Sequence, residues 1–201
     1  GIPKSGSGCA LAIAVAIMVS TGGAAPHRLP RTGVMGELAL DGRVRPVRGI
    51  LPALIHAAKQ GFERAVVPQG NIDEALLVTE LEVGAADSLG QVVSWLAGEC
   101  VLDAVPRERE EIPAAAGGHR DDMADVVGQS EARHALEIAA AGAHHVLMTG
   151  PPGIGKTMLA KRIPGILPQL RREESLEVTA IHSIAGVLSP GDPLVSDPPF
   201  V

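Results

Sequence analysis

Apolar positions change their rhythm several times along this chain, and each change predicts an element. Residues 10–19, ALAIAVAIMV, form an unbroken apolar run that predicts a buried helix. Residues 32–40 and 43–47 flank Asp41-Gly42. That pattern predicts two strands joined by a two-residue turn with both central residues at positive φ. In the next segment Leu51, Leu54, Ile55 and Ala58 recur at helical spacing, with Pro52 at the first helical position, Lys59 in the last turn and Gly61 at the stop. Residues 64–67 predict a short strand, and residues 81–83 another. Between them, Asn71 and Glu74 form a capping-box-like start for a helix over residues 72–79. Ser88 and Gln91 repeat the capping pattern and open a helix that ends near Gly98. Together these elements predict an α+β domain over residues 1–97, a normal size for one core.

The rhythm fails over residues 98–120, where PREREEIPAAAGGHR mixes charge, Pro and Gly as a linker does. A second pattern begins near Asp121 and predicts a second domain over residues 121–201. Residues 130–141 predict a helix with Ala132, Ala135, Leu136 and Ala139 on one side and Gly142 at its close. Residues 146–149 predict a strand, a Gly-rich loop follows, and residues 156–163 predict a helix that Pro164 stops. No internal repeat is visible.

Composition narrows the functions. Hydrophobic residues make up 46% and charged residues 20% of the 201, a globular balance. With two Phe, one Trp and no Tyr, the core is aliphatic, and stacking of bases on aromatic rings is disfavoured as a binding mode. The net charge of −6 gives no global attraction for nucleic acid. One local exception runs from His27 to Arg48, where Arg28, Arg31, Arg43, Arg45 and Arg48 face only Glu37 and Asp41; a solvated hairpin face is the simpler reading. Cys9 and Cys100 form no C-x-x-C pair, which fits a reducing compartment, and the histidines show no metal spacing. The apolar run behind Lys4 resembles a signal-peptide core but is too short to span a bilayer. A cytoplasmic protein with no membrane partner is expected. The missing initiator Met and the mid-domain opening suggest a chain truncated at both ends.

The chemistry concentrates in Gly150-Pro151-Pro152-Gly153-Ile154-Gly155-Lys156-Thr157, which fits G-x-x-x-x-G-K-T between a predicted strand and a predicted helix. A loop that wraps phosphate with backbone N–H groups must be free of obstructing side chains, which Gly150, Gly153 and Gly155 satisfy. Lys156 supplies charge to the β and γ phosphates, Thr157 a hydroxyl for Mg²⁺, and the following helix its dipole. ATP and Mg²⁺ are the expected cofactors. Hydrolysis also needs an acidic strand end. Asp192 and Asp197 lie in the Pro-rich GDPLVSDPPF without a hydrophobic strand before them, so neither is assigned that role and the catalytic residues are unknown. Taken alone, the chain is expected to bind ATP better than it hydrolyses it.

With these residues in hand, two resemblances emerge. The stretch DDMADVVGQSEARHALEIAAAGAHHVLMTGPPGIGKTMLAKRIPGILP, continued by SLEVTAIHSIAG, resembles the opening of the α/β P-loop module of AAA+ ATPases of the magnesium chelatase-related, YifB/ComM-type family. The resemblance implies that Val127, Gly128 and Gln129 line the adenine pocket. GIPKSGSGCALAIAVAIM and TGVMGELALDGRVRPVRGILPALIHAAKQGFERAVVP resemble the proteolytic domain of Lon-type proteases, which this family carries in front of its AAA+ module. Lon-type proteases use a Ser nucleophile and a Lys base. In an ungapped alignment the Ser falls on Gly8, next to Ser7, and the Lys falls on Leu51, which cannot accept a proton. Lys4 and Lys59 are the nearest lysines, and neither matches the motif. The resemblance therefore implies a Lon-like fold without peptidase chemistry, a hexameric ring and a DNA substrate remodelled by a helicase-type motor. An ATP-dependent peptidase and a metal-insertion motor are the alternatives.

Overall fold

The computed structural model describes residues 7–102, 121–188 and 194–200. These fall into two compact units, one holding residues 7–102 with 176–188 and 194, the other residues 121–175 with 195–200. Most of the expected linker lies outside the described residues.

The first unit is mixed α/β. Its helices are α1 (Ala10–Ser20), α2 (Ile50–Lys59), α3 (Ile72–Ala75) and α4 (Leu89–Ala97), and its strands are β1 (Thr32–Val34), β2 (Glu37–Leu38), β3 (Val44–Arg45), β4 (Arg64–Pro68) and β5 (Glu82–Ala86). A parallel sheet runs in the order β1-β4-β5, while β2 and β3 pair antiparallel as a separate hairpin. Parallel neighbours need crossover connections, which α2 and α3 supply. Both faces of the sheet are covered, and this explains why β4 reads as a continuous apolar run. Val66 and Ala86 face Leu11, Val15, Val92, Trp95 and Leu96, from α1 and α4. Ala65, Val67, Val83 and Ala85 face Ile50, Leu51, Leu54, Ile72 and Ala75, from α2 and α3.

Several sequence expectations are corrected here. The helix over residues 10–19 forms, but it is not buried throughout. Leu11 and Val15 are fully covered, whereas Ile13 and Ile17 are exposed. An all-apolar run carries no polar face to show which side turns inward. The strand expected over residues 32–40 breaks in two, because β1 leaves the hairpin to pair with β4 and only β2 meets β3. In the hairpin turn Gly42 is left-handed at φ +83° and Asp41 is not. Gly42 N–H donates to the Ala39 carbonyl and Ala39 N–H to that of Arg43, so the loop has three residues with Gly at the position after the turn. Pro52 is the third residue of α2, not the first. The helix expected over residues 72–79 ends at Ala75, and the N–H groups of Leu77 and Val78 bond three residues back instead.

Asn71 does not cap α3. Its Oδ1 accepts from Val47 N–H at 2.9 Å, and its Nδ2 donates to the Val47 carbonyl at 2.8 Å and to Glu74 Oε1 at 2.6 Å. Glu74 Oε2 accepts from Ser183 Oγ at 2.6 Å, and Ser183 Oγ accepts from Gly49 N–H at 3.1 Å. Ser183 belongs to α7 (Arg172–Ala185), whose residues from Leu176 onward pack in this unit, with Leu176 and Ala180 on the α2–α3 core. Buried polar groups are costly unless paired, and every link of this chain is paired.

Asn71→Ala strips partners from Val47 and from Glu74. It is expected to destabilise the chain by about 1–3 kcal/mol, read as a lower urea midpoint with an unchanged slope. In the hairpin turn, hydrogen bonds from the Arg43 guanidinium and then from its backbone N–H hold the Asp41 carboxyl below the ordinary carboxylate value. That contribution is present above the unfolded-state pKa and is lost as pH falls through the lowered one. A carbon-13 titration should therefore place Asp41 below the other exposed aspartates.

Candidate functional site

The second unit is built around α5 (Ser130–Ala141) and α6 (Lys156–Ile166), which share a small core of Met123, Val126, Leu136 and Leu159. The limits of α5 are those the sequence predicts, although Ala135 faces outward. Residues 146–149 are not a strand; Leu147 is 89% exposed, and no described segment pairs with them. His144 and His145 accordingly lie outside any strand. Extended residues become a strand only when a neighbour accepts their hydrogen bonds. Pro164 does not stop α6, which continues to Ile166 with Leu167 N–H donating to the Ile163 carbonyl. Pro removes one ladder bond but does not forbid the next.

The loop before α6 is defined by two side chains. Lys156 Nζ donates to the Gly150 carbonyl at 2.7 Å and to the Pro151 carbonyl at 2.9 Å, closing the loop on itself. An ammonium has three donors, so one remains for another acceptor. Gln129 Nε2 donates to the Ile154 carbonyl at 2.9 Å. Gly155 caps α6 at φ +92°, and a Cβ there would meet Gln129 Nε2 at 2.9 Å. Leu159 N–H is the donor to the Gly155 carbonyl, so the N–H groups of Lys156, Thr157 and Met158 are not used by the helix ladder. A helix N-terminus, a ring of small residues and a spare ammonium donor suit a phosphate. A Cβ on Gly153 would meet nothing within 4 Å, so its missing side chain leaves open space. These residues fit a nucleotide polyphosphate, with Gly150 to Thr157 as its cradle. Thr157, in the first turn of α6, is exposed.

Of the expected adenine-side residues, Gln129 meets the loop, Gly128 adopts φ +75°, and Val127 is 97% exposed. The preceding Val126 is buried, and its carbonyl accepts from Arg133 Nη1 at 3.1 Å. The sequence pattern missed the Gln129–Ile154 bond, because nothing in V-x-G-Q spacing shows where the amide points.

In the first unit Leu51, the residue at the Lon-type lysine position, is fully buried against the sheet. Lys59 is exposed at the end of α2, and Lys4 and the Ser7 side chain lie outside the described residues. The arginine cluster is largely paired. Arg31 meets Glu63, Arg43 meets Asp41 and Arg45 meets Glu37, while Arg28 lies over Trp95 and donates to the carbonyls of Trp95 and Cys100. Three of the five arginines are thus matched to a carboxylate. Among the described residues no helix is long and apolar enough to cross a membrane.

Comparison with known proteins now places the chain. The family model for magnesium chelatase, subunit ChlI, matches residues 122–201, and a second, for subunit ChlI of Mg-chelatase, matches residues 1–71. The chain belongs to the magnesium chelatase-related, YifB/ComM-type family. It is 52% identical over its whole length to an uncharacterized protein of Mycobacterium tuberculosis, of which it covers 39%. It is 37% identical over 91% of its length to competence protein ComM of Haemophilus influenzae, of which it covers 36%. A shorter stretch, 31% of the chain, is 40% identical to a putative lon protease homolog of Methanothermobacter thermautotrophicus, covering 12% of that protein. The chain thus spans well under half the length of the curated relatives it matches along its whole length.

The loop geometry makes a distinction between two glycines. Gly153→Ala adds only left-handed strain, whereas Gly155→Ala adds strain and drives the Gln129 amide away. Amide hydrogen exchange at Leu159, whose N–H is bonded to the Gly155 carbonyl, should accelerate clearly in Gly155→Ala and little in Gly153→Ala.

Proposed function

We propose that residues 121–201 begin a P-loop domain of the AAA+ type that binds Mg-ATP, and that in the whole protein ATP hydrolysis drives the remodelling of a macromolecule. The observation that carries this reading is the Lys156 ammonium, fixed on the Gly150 and Pro151 carbonyls at the first turn of α6 with one donor to spare. Phosphate held there would meet unused N–H groups, a helix dipole and a cation together. Thr157 would share Mg²⁺ with it. Family membership supports an ATPase that oligomerises, and a relative named for competence fits DNA as the macromolecule of this reading, with a hexameric ring as its working form. Residues 1–97 serve in this reading as a Lon-like domain without peptidase chemistry, joined through a linker over 98–120. Burial of Leu51 supports that assignment, because the position a base would occupy is given over to core packing.

Lys156→Ala is expected to abolish measurable Mg-ATP binding in isothermal titration, and unchanged affinity would refute the pocket. Thr157→Ala should weaken the Mg²⁺-dependent part of the affinity more than the Mg²⁺-free part. Ser7→Ala should leave every activity of the whole protein intact. Loss of peptide cleavage in that variant would restore the protease reading.

A further inference from the structure

The loop is held at two places, and only one of them is the lysine. At its start, Lys156 Nζ braces Gly150 and Pro151; at its end, Gln129 Nε2 holds the Ile154 carbonyl at 2.9 Å. We propose that Gln129 is a positioning residue for the phosphate loop, acting through the Ile154–Gly155 peptide; the inference rests on the nucleotide reading above.

Three observations carry it. Gln129 adopts φ +52° directly after Gly128 at φ +75°. A side chain in the left-handed region is uncommon and costs free energy, so the surrounding structure must hold it there. Among the described residues the hydrogen bond to Ile154 is the one its side chain makes, and it offsets that cost. The element leading into Gln129 is itself anchored. Val126 is buried in the core of the second unit, and its carbonyl is held by Arg133 Nη1. The amide therefore reaches the loop from a fixed point and not from a free arm. Finally, a trans peptide points its carbonyl and its N–H in opposite directions. Pinning the Ile154 carbonyl toward Gln129 turns the Gly155 N–H the other way, presenting it to an anion in the loop. Gly155 leaves room for this arrangement, since a Cβ there would lie 2.9 Å from the Gln129 amide nitrogen.

Gln129 thus acts on phosphate through the main chain, without touching it. Its removal should weaken ligands that carry phosphate and spare those that do not. The test uses the 201-residue chain, a fluorescent ADP analogue, and competition by ADP and by adenosine. Gln129→Met keeps the length and removes the donor; Gln129→Glu keeps the shape and removes the donor. Both should weaken ADP by about three- to tenfold, the worth of one hydrogen bond, weaken adenosine clearly less, and leave the chain folded with a thermal midpoint lowered by no more than a few degrees. An equal loss for both ligands would assign Gln129 a general structural role and overturn the inference. So would unchanged ADP affinity in the Gln129 variants alongside loss in Lys156→Ala, which would leave the nucleotide reading standing. Failure of the wild-type chain to bind ADP would overturn both.

Discussion

A loop of small residues has many conformations in water and only one that can wrap a phosphate. In this chain the start of the loop is held by an ammonium that donates to two carbonyls, Gly150 and Pro151, lying six and five residues before it. The contact closes the loop on itself, and at Gly153 the missing side chain leaves open space. It also joins the loop to α6, since Lys156 is the first residue of that helix. The lysine thus sets position and charge at the first helical turn, while Gln129 holds the Ile154 carbonyl at the loop's end. A charge-assisted hydrogen bond of this kind is roughly twice as strong as a neutral one, which suits it to hold a backbone that has little packing of its own.

The first unit solves a related problem by similar means. Its parallel sheet is covered on both faces, so it is apolar almost everywhere, and the few buried polar groups must find one another. Asn71 satisfies both backbone groups of Val47 and passes a donor to Glu74, whose other oxygen is satisfied by Ser183. Where a Lon-type protease places its lysine, the same core accepts Leu51.

Much of this was legible in the residues because local chemistry decides it. The Ser88 hydroxyl accepts from Gln91 N–H and Gly98 is left-handed, so α4 begins and ends where its caps say. Gly142 closes α5 as expected, and the apolar run of β4 is the strand it suggests. What escaped depends on distant partners. Asn71 resembled a cap because its local spacing to Glu74 is that of a cap, yet its oxygen faces Val47, 24 residues away. Residues 32–40 resembled one strand, yet β1 finds its partner in β4. Residues 146–149 carry strand-like residues without a described neighbour to pair with. Gln129 could be placed near the loop by resemblance, but its hold on Ile154 follows from a backbone conformation that no spacing encodes.

Amide mapping by nuclear magnetic resonance tests the central claim most directly: ADP and Mg²⁺ are titrated into the nitrogen-15-labelled chain and the shifts followed residue by residue. The proposed pocket predicts that the largest movements fall on the N–H groups of Gly153, Gly155, Lys156 and Thr157, with smaller ones at Gly128 and Gln129. Shifts confined to the first unit, or none at saturating ADP, would contradict it.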